Sequence, residues 1–401
     1  MNKKLVLAFS GGLDTSFCVK YLKEVKGFEV YTAIANTGGF SDEELKVIEE
    51  KAYRLGAKEH VTLDVTEDYY QKCIRYMVYG NVLRNNTYPI SVSSERVFQA
   101  IATIGYAKKI GAGYIAHGST GAGNDQVRFD LTFQVLAPEI EIITPIRDLM
   151  LSRQEEIDFL KKHGVEADFE KMKYSINQGL WGTSVGGKET LTSDQGLPGD
   201  AYPNKLKTEE ERIVTLEFIK GELKTIDGKS YGGGPATIRA LDEIASGYAI
   251  GRDIHVGDTI IGIKGRVGFE AAAPMIIIKS HHLLEKHTLT KWQAYWKEQL
   301  ANWYGMFLHE AMYHEPVMRN IESFLEATQE NVTGKVFVSL KPYRFELQGI
   351  ESDHDLMKSG FGDYGETVKA WSADDVKGFT KILSNSLKIY NVVNQNVRND
   401  G

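Results

Sequence analysis

Seven residues near the amino end, Ser10-Gly11-Gly12-Leu13-Asp14-Thr15-Ser16, bring together three hydroxyls, one carboxylate and two positions without side chains. The apolar run LVLAF before them has the texture of a strand. The residues after them place Cys18, Tyr21, Leu22 and Val25 on one side of an expected helix. A strand-to-helix turn of this kind aims several backbone N–H groups at one spot, where the helix dipole favours an anion. Phosphate binding is the chemistry to expect. The loop is not a Walker A sequence, because no Gly-Lys-Ser/Thr follows and the lysine that would reach the outer phosphates is missing; nor is it a GxGxxG turn. A merely tight turn would use the glycines but none of the hydroxyls.

A second constellation, Ala116 to Asp130 (AHGSTGAGNDQVRFD), ends another expected strand. Gly118, Gly121 and Gly123 let backbone approach a ligand, while Thr120, Asn124, Asp125 and Arg128 mix hydroxyl, amide, carboxylate and guanidinium. That mixture suits a small zwitterion such as an amino acid.

The elements that must carry these loops alternate. LVLAFS, EVYTAIAN, HVTLDV, GYIAHGS and IEIITPI read as strands separated by helical patterns, the signature of an α/β fold with a doubly wound parallel sheet. Ser41 with Glu44, and Ser152 with Glu155, have the spacing of capping boxes and mark two helix starts. After about Glu166 glycine-rich irregular stretches (GTSVGGKE, DGKSYGGGP) mix with alternating runs such as RIVTLEFIKGELKTI, which read as antiparallel pairs. A long helical pattern spans Leu283 to about Ala327 and a shorter one Asp374 to Tyr390. The expected division is a nucleotide-binding domain over 1–165, an α+β synthetase and multimerisation domain over 166–370, and a C-terminal helix and tail over 371–401.

Composition narrows the partners. The 401 residues carry 47 Lys and Arg against 54 Asp and Glu, a net charge of -7 that gives no general attraction to nucleic acid. Cys18 and Cys73 are the only cysteines, with no CxxC pair, so a reducing cytoplasmic setting is expected and a disulfide scaffold is not. The opening MNKKLVLAFSGG is too short in its apolar part for a signal peptide. No apolar run approaches the roughly 20 residues of a membrane span. His309-Glu310 with His314 is not a zincin helix, because histidines five apart point about 140° away from each other. His281, His282 and His287 read as surface or packing residues. Trp292, Tyr295, Trp296, Trp303 and Tyr304 read as a helix contact, since no basic stripe accompanies them.

SGGLDTS resembles the pyrophosphate loop of the N-type ATP pyrophosphatases, a group that adenylates a substrate oxygen and includes GMP, NAD and asparagine synthetases and tRNA-modifying enzymes. HGSTGAGNDQVRF narrows the resemblance to the argininosuccinate synthases, whose corresponding segment is of the type HGATGKGNDQVRF, and weaker similarity runs along essentially the whole chain. The resemblance implies an adenine-nucleotide α-hydrolase-like domain, ATP with Mg²⁺, citrulline and aspartate as substrates, and a homotetramer. Ala8, Phe9, Ser10 to Ser16 including Leu13, Ala35, Ala116, His117, Gly118, Thr120, Gly121, Gly123 and Asn124 would line ATP. Thr120, Asn124 and Asp125 would hold aspartate. Tyr88, Ser93, Asn124, Arg128, Ser175 and Ser184 fall where the family contacts citrulline, with Arg128 able to grip a carboxylate bidentately.

The same comparison exposes departures. Many family members carry VENRFIGMKSRGIYETP where this chain has VGDTIIGIKGRVGFEAAAP, so Gly257 stands for a Glu and Phe269 for a Tyr, and SSERV (Ser93 to Val97) stands for SLARP. A carboxylate there would pair with the α-ammonium of citrulline. Either Asp258 or Glu270 replaces it, which is the smaller change and the expected one, or the substrate is acylated on that nitrogen. The expected reaction is attack of the ureido oxygen on the α-phosphorus of ATP, loss of pyrophosphate, and attack of the aspartate amine with AMP leaving. Ser10, Gly11, Gly12, Thr15 and Ser16 would stabilise pyrophosphate, and Asp14 or Asp125 would help place the metal. A sulfur-inserting tRNA enzyme would want a paired catalytic cysteine and a basic surface, and a nucleotide sensor would keep only the first loop.

Overall fold

A five-stranded parallel sheet with strand order β3-β2-β1-β4-β5 is formed by β1 (Lys4–Ala8), β2 (Glu29–Asn36), β3 (Glu59–Asp64), β4 (Tyr114–Ala116) and β5 (Glu141–Ile143). The computed structural model describes residues 3–165, 174–361 and 370–399. The alternation within β1 sorts its side chains. Leu5 and Leu7 join a core beneath α1 (Leu13–Lys20), α2 (Asp42–Leu55) and α5 (Arg153–Lys162), and Val6 joins a second core beneath α3 (Ser91–Ile110) and α4 (Asp125–Leu136). One residue slip would exchange the two sets. Helices on both faces make the sheet doubly wound, as its continuous apolar strands require.

Chain order reverses between β1 and β4, and open parallel sheets form their crevice at the carboxyl ends of strands at such a point. The loop after β1 and the loop after β4 meet there. Both expected capping boxes are present, with Ser41 and Ser152 accepting from the N–H groups of Glu44 and Glu155, so α2 and α5 start where the sequence places them. Past Lys20 the first helix widens into a π-helical turn, Tyr21–Val25, which keeps Leu22 buried and rotates Val25 out to solvent. The side assigned to Val25 from a 3.6 period is corrected by that turn.

The later chain builds two antiparallel sheets. One has the order β10-β9-β8-β13-β14 from β8 (Arg212–Ile219), β9 (Glu222–Ile226), β10 (Lys229–Ser230), β13 (Gly334–Lys341) and β14 (Arg344–Glu351). The expected β8/β9 pair turns on Lys220 and Gly221, both at positive φ, as a two-residue hairpin demands. The other sheet has the order β11-β12-β7-β6 from β6 (Ser175–Gly179), β7 (Gly182–Gly186), β11 (Arg252–Asp258) and β12 (Lys264–Glu270). GTSVG, expected to be irregular, is strand β7.

The single pattern expected over 283–327 is three helices, Ala272–Thr288, Lys291–His309 and Pro316–Ala327. A Thr290–Gln293 capping box and Pro316 at a helix start break it. His281 and His282, which precede the expected pattern, lie with His287 inside the first of these helices. His281 is a core residue, bonded to Asn81 and Gln329. Of the aromatic set only Tyr304 is buried; Trp292, Tyr295, Trp296 and Trp303 are each more than half exposed. The shorter pattern is also broken, into Ala373–Leu383 and Asn385–Asn399. Residues 1–354 form one compact unit and 355–401 a second. Tyr69 to Phe98 contribute Ile74, Met77, Tyr88 and Ile90 to the core of the later sheets, which makes the first unit continuous across the expected division at 165. That division and the one at 370 each abut stretches outside the described residues. No helix among the described residues is long and apolar enough to cross a membrane.

Within that shared core, buried Glu285 receives Lys297 Nζ at 2.8 Å, Gln329 Nε2 at 3.0 Å and Asn81 Nδ2. Removing one partner of a buried pair strands the other charge, at a cost of about 3–5 kcal/mol. Lys297→Met is expected to lose that much in guanidinium unfolding followed by tryptophan fluorescence, and adding Glu285→Gln should recover most of it.

Candidate functional site

The loops at the switch point open into a cavity of about 1230 Å³, above the roughly 300–1,000 Å³ usual for one small ligand. Its floor is the turn after β1. Phe9 N–H donates to Ala33 and holds the turn to the sheet, and Gly11 takes φ +75, where a Cβ would also lie 3.2 Å from Ile48. Gly12 caps α1 without any side-chain acceptor, so the first N–H groups of that helix face the cavity uncapped. Ser10 Oγ lies 3.4 Å from Thr15 Oγ1 and from Gly12 N.

The lysine missing from the loop arrives from α2. Lys51 Nζ donates to Gly11 O at 2.5 Å and lines the cavity, and burial, with Arg54 nearby, lowers its pKa. Arg153, at the start of α5, lines it too. Below them Asp14 and Glu156 share a hydrogen bond. Burial raises both, with Glu156 pushed up to about 8, so the pair tends to hold one proton.

The loop after β4 covers the turn, and Gly118 is close enough that a Cβ would stand 3.2 Å from Thr15 Cγ2. His117 Nδ1 accepts from Ser119 N, which leaves Nε2–H to donate to Asp130 at 2.9 Å. Asp130 accepts from Arg147 Nη1, the same nitrogen also donates to Gln126 Oε1, and Gln126 Nε2 donates to the carbonyls of Gly121 and Gly123. The glycine-rich loop is thus pinned by side chains outside it. At its end Asp125 is clamped by Arg96 Nε at 2.9 Å and Arg128 Nη1 at 2.7 Å. Burial alone would raise its carboxyl, yet the two guanidiniums bring it down to about 2.

Across the cavity stand the later strands. Ser175 on β6, Ser184 on β7, and Gly257 and Asp258 at the end of β11 all line it, with Tyr88 and Ser93 at the entry to α3. Ile90 at φ +56 reverses the chain into α3 and so sets Ser93 and Arg96 on the cavity side. Asn124 Oδ1 accepts from Ile260 N at 2.9 Å, tying the glycine loop to the β11–β12 connection.

Most residues singled out from sequence meet here: Ala8 to Thr15, Ala35, Tyr88, Ser93, His117, Gly118, Thr120, Gly123, Asn124, Asp125, Arg128, Ser175, Ser184 and Asp258 all border one cavity. Four do not. Ser16 is fully buried with Oγ donating to Gly12 O at 2.6 Å, Ala116 is fully buried in the sheet, and Gly121 is exposed outside the lining. Glu270 is buried away from the cavity, held by Arg252 Nε at 2.8 Å and Asn204 Nδ2 at 2.9 Å, and so cannot supply the expected substitute carboxylate. Asp258 does border the cavity, but as an exposed partner of Lys264. The bidentate grip expected of Arg128 is partly spent, since Nε donates to His309 O and Nη1 to Asp125.

Sequence reasoning missed Lys51, Arg96, Arg153, Arg266, His255 and His309, all of which line the cavity. They converge from helices and strands far apart in the chain, and no local pattern announces them. The SSERV departure is mostly internal: Ser94 bonds Tyr69 and Glu95 accepts from Thr37, while Ser93 and Arg96 keep the wall. Phe269 packs on Tyr88 at 5.3 Å without reaching the cavity. Both cysteines are buried and their thiols pushed up by burial, the opposite of an activated nucleophile. No group of three or more His, Cys, Asp or Glu among the described residues could hold a metal ion by itself.

Residues 4–166 match the family description "Arginosuccinate synthase N-terminal HUP domain", and residues 174–390 match "Arginosuccinate synthase C-terminal domain". Among curated relatives named argininosuccinate synthase, that of Xylella fastidiosa is 34% identical over 404 residues, covering 99% of each chain. Those of Xanthomonas campestris and Methanocaldococcus jannaschii are each 35% identical, the first covering 98% of this chain and 100% of its own, the second 91% and 93%.

The Asp14–Glu156 pair makes a pH prediction. Glu156 has a folded value near 8 against 4.5 for the free group, so the folded state keeps a proton that the unfolded state releases, and stability falls as pH rises through that window. Glu156→Gln is expected to flatten the decline of melting temperature between about pH 5 and 8 relative to the parent.

Proposed function

The chain belongs to the argininosuccinate synthase family, ATP-dependent carbon–nitrogen ligases of arginine biosynthesis, and from that premise we propose how its cavity performs the ligation. The observation that carries the proposal is the uncapped N-terminus of α1 beneath a glycine-covered loop, with Lys51 beside it. Pyrophosphate of ATP lies on the first-turn N–H groups, Ser10 Oγ and Thr15 Oγ1. The nucleoside extends past Ala33 to Ala35, toward the loop of His117 to Asn124.

Ser16 acts one step back. Its hydroxyl bonds the Gly12 carbonyl and fixes the turn, so it positions the phosphate donors rather than touching the anion. Mg²⁺ would suit the site in the way it suits other nucleotide enzymes, held by one carboxylate and the phosphate oxygens, and Asp14 is the carboxylate in place. When bound it would neutralise charge gathering on the leaving group.

Aspartate is proposed to occupy the space by Thr120, Asn124 and Asp125, and the citrulline-type substrate that between Tyr88, Ser93, Arg128, Ser175 and Ser184. With the ureido oxygen near the α-phosphorus, the O–P bond forms as the bond to pyrophosphate breaks. The aspartate nitrogen then bonds the ureido carbon, AMP departs with the former ureido oxygen, and the amine loses its proton. No side chain stands out as general base, and the rate comes from alignment and from donors fixed before reaction. The paired Arg96–Asp125–Arg128 group keeps a fixed charge between the two amino-acid spaces. A cytosolic setting, the division of labour between residues 1–165 and the later domain, and a tetramer using the outward aromatic face of Lys291–His309 belong to the same proposal.

Pyrophosphate release from ATP in the presence of aspartate and citrulline-type substrates tests it. Lys51→Met and Thr15→Ala are each expected to lower kcat by about 10²-fold with the fold intact by circular dichroism. ATP binding without release in the parent enzyme, under every substrate combination, would favour a nucleotide sensor instead.

A further inference from the structure

Resting on that reading of the cavity, we infer that the ureido substrate arrives with its α-amine already acylated, as an N-acylcitrulline. The wall that receives this end presents an imidazole, His255, and a side-chain-free position, Gly257, where a free ammonium would require a carboxylate.

Among the described residues, Asp14, Glu44, Asp125 and Asp258 are the carboxylates that line the cavity; Asp14 belongs to the phosphate loop and Glu44 to the first turn of α2, which leaves Asp125 and Asp258 for the space proposed for citrulline. Asp125 is committed to two guanidiniums at 2.9 and 2.7 Å. Asp258 pairs with Lys264 at 2.6 Å, with both side chains more than half exposed, where water screens whatever it offers. Glu270, one strand away, is turned into the protein and taken by Arg252 and Asn204. Among the described residues, an ammonium leaving water here would therefore meet no dedicated partner, a costly arrangement that binding sites avoid.

The surrounding charge points the same way. Arg96, Arg128 and Arg266 line the cavity, and Arg84 donates to the backbone oxygen of Asp258 at 3.1 Å. Burial, and after it the charge of Arg84, holds the His255 imidazole down to about 4, hence neutral. A substrate ammonium set beside that ring would face the same two penalties as the proton His255 does not keep. Glu310 sits near Arg84 but does not line the cavity.

An amide fits where an ammonium does not. It carries no charge to desolvate and offers one donor and one acceptor. The His255 ring is fixed by its face-to-face contact with Tyr88 at 5.2 Å, and its Nδ1 is buried without a hydrogen-bond partner. A Cβ on Gly257 would lie 2.6 Å from His255 Nε2 and 3.5 Å from Asn85 Nδ2. Any side chain at 257 would displace that ring, whereas glycine leaves it in place and bares the strand for close approach of a planar group. Gly257 and His255 thereby become specificity-determining residues of one subsite.

The acyl group is a passenger. The ureido oxygen forms its bond to the α-phosphorus as pyrophosphate leaves, the aspartate nitrogen replaces AMP on the ureido carbon, and the acyl C–N bond is untouched. The product is an N-acylated argininosuccinate, so an amide hydrolase must act at a later step.

The experiment compares kcat/KM for pyrophosphate release by the full-length enzyme, with ATP and aspartate, on citrulline, Nα-acetylcitrulline and Nα-succinylcitrulline. At least one acylated substrate is expected to exceed citrulline by about tenfold or more. The acetyl and succinyl arms report whether the arginines also engage an acyl carboxylate. Citrulline equal to or better than both overturns this inference and leaves the ligase reading standing; release with none of the three overturns both. Gly257→Glu is expected to reduce the acylated-to-free ratio at least about tenfold, and an unchanged ratio would remove Gly257 from the specificity argument.

Discussion

A helix start with nothing of its own to satisfy it is the constraint on which the rest of this structure depends. The chain leaves β1, turns through left-handed Gly11, and begins α1 at a glycine that offers no side-chain cap. Unpaired N–H groups at a partly buried helix end are costly unless an anion or water meets them. Everything nearby serves to keep the spot open and positive in character: Ser16 ties the turn to itself, Lys51 comes across from α2, and Gly118 lets the second loop lie close without filling the space.

The opposite wall is organised around buried charge rather than exposed backbone. Asp125, between Arg96 and Arg128, joins α3 to α4, while Arg96 also reaches Asn177 on β6 and Arg128 reaches the end of the helix Lys291–His309. Elements from both halves of the chain therefore converge on one carboxylate. Such a network is expensive to bury and strongly destabilised by losing a member, so it fixes the distance across the cavity. That rigidity matters to a reaction that relies on alignment of three reactants instead of on an activated side chain.

The strands of the parallel sheet and the two capping boxes were legible because their signals are local: apolar runs bounded by turns, and Ser followed three residues later by Glu. So was the SGGLDTS turn, whose chemistry sits within seven residues. Length and interruption were not. Thr290 and Pro316 divide one apparent helix into three: the Thr290-x-x-Gln293 box and the proline are local signals too, but the apolar periodicity that continues across them masks the breaks. Lys51 and His255 reach the cavity through tertiary placement, which spacing cannot encode. The fates of Ser16 and Glu270 were hidden for a related reason: a hydroxyl or carboxylate can serve the protein as readily as a ligand, and only its partners, here the Gly12 carbonyl and the Arg252–Asn204 pair, show which.

A crystal structure with ATP bound measures the central claim directly, through the distances from the outer phosphate oxygens to the backbone nitrogens at the start of α1. Contacts of about 2.7–3.2 Å to those nitrogens are expected, with Thr15 Oγ1 and Lys51 Nζ at similar range. ATP seated with its phosphates elsewhere, and water on the α1 N-terminus, would contradict it.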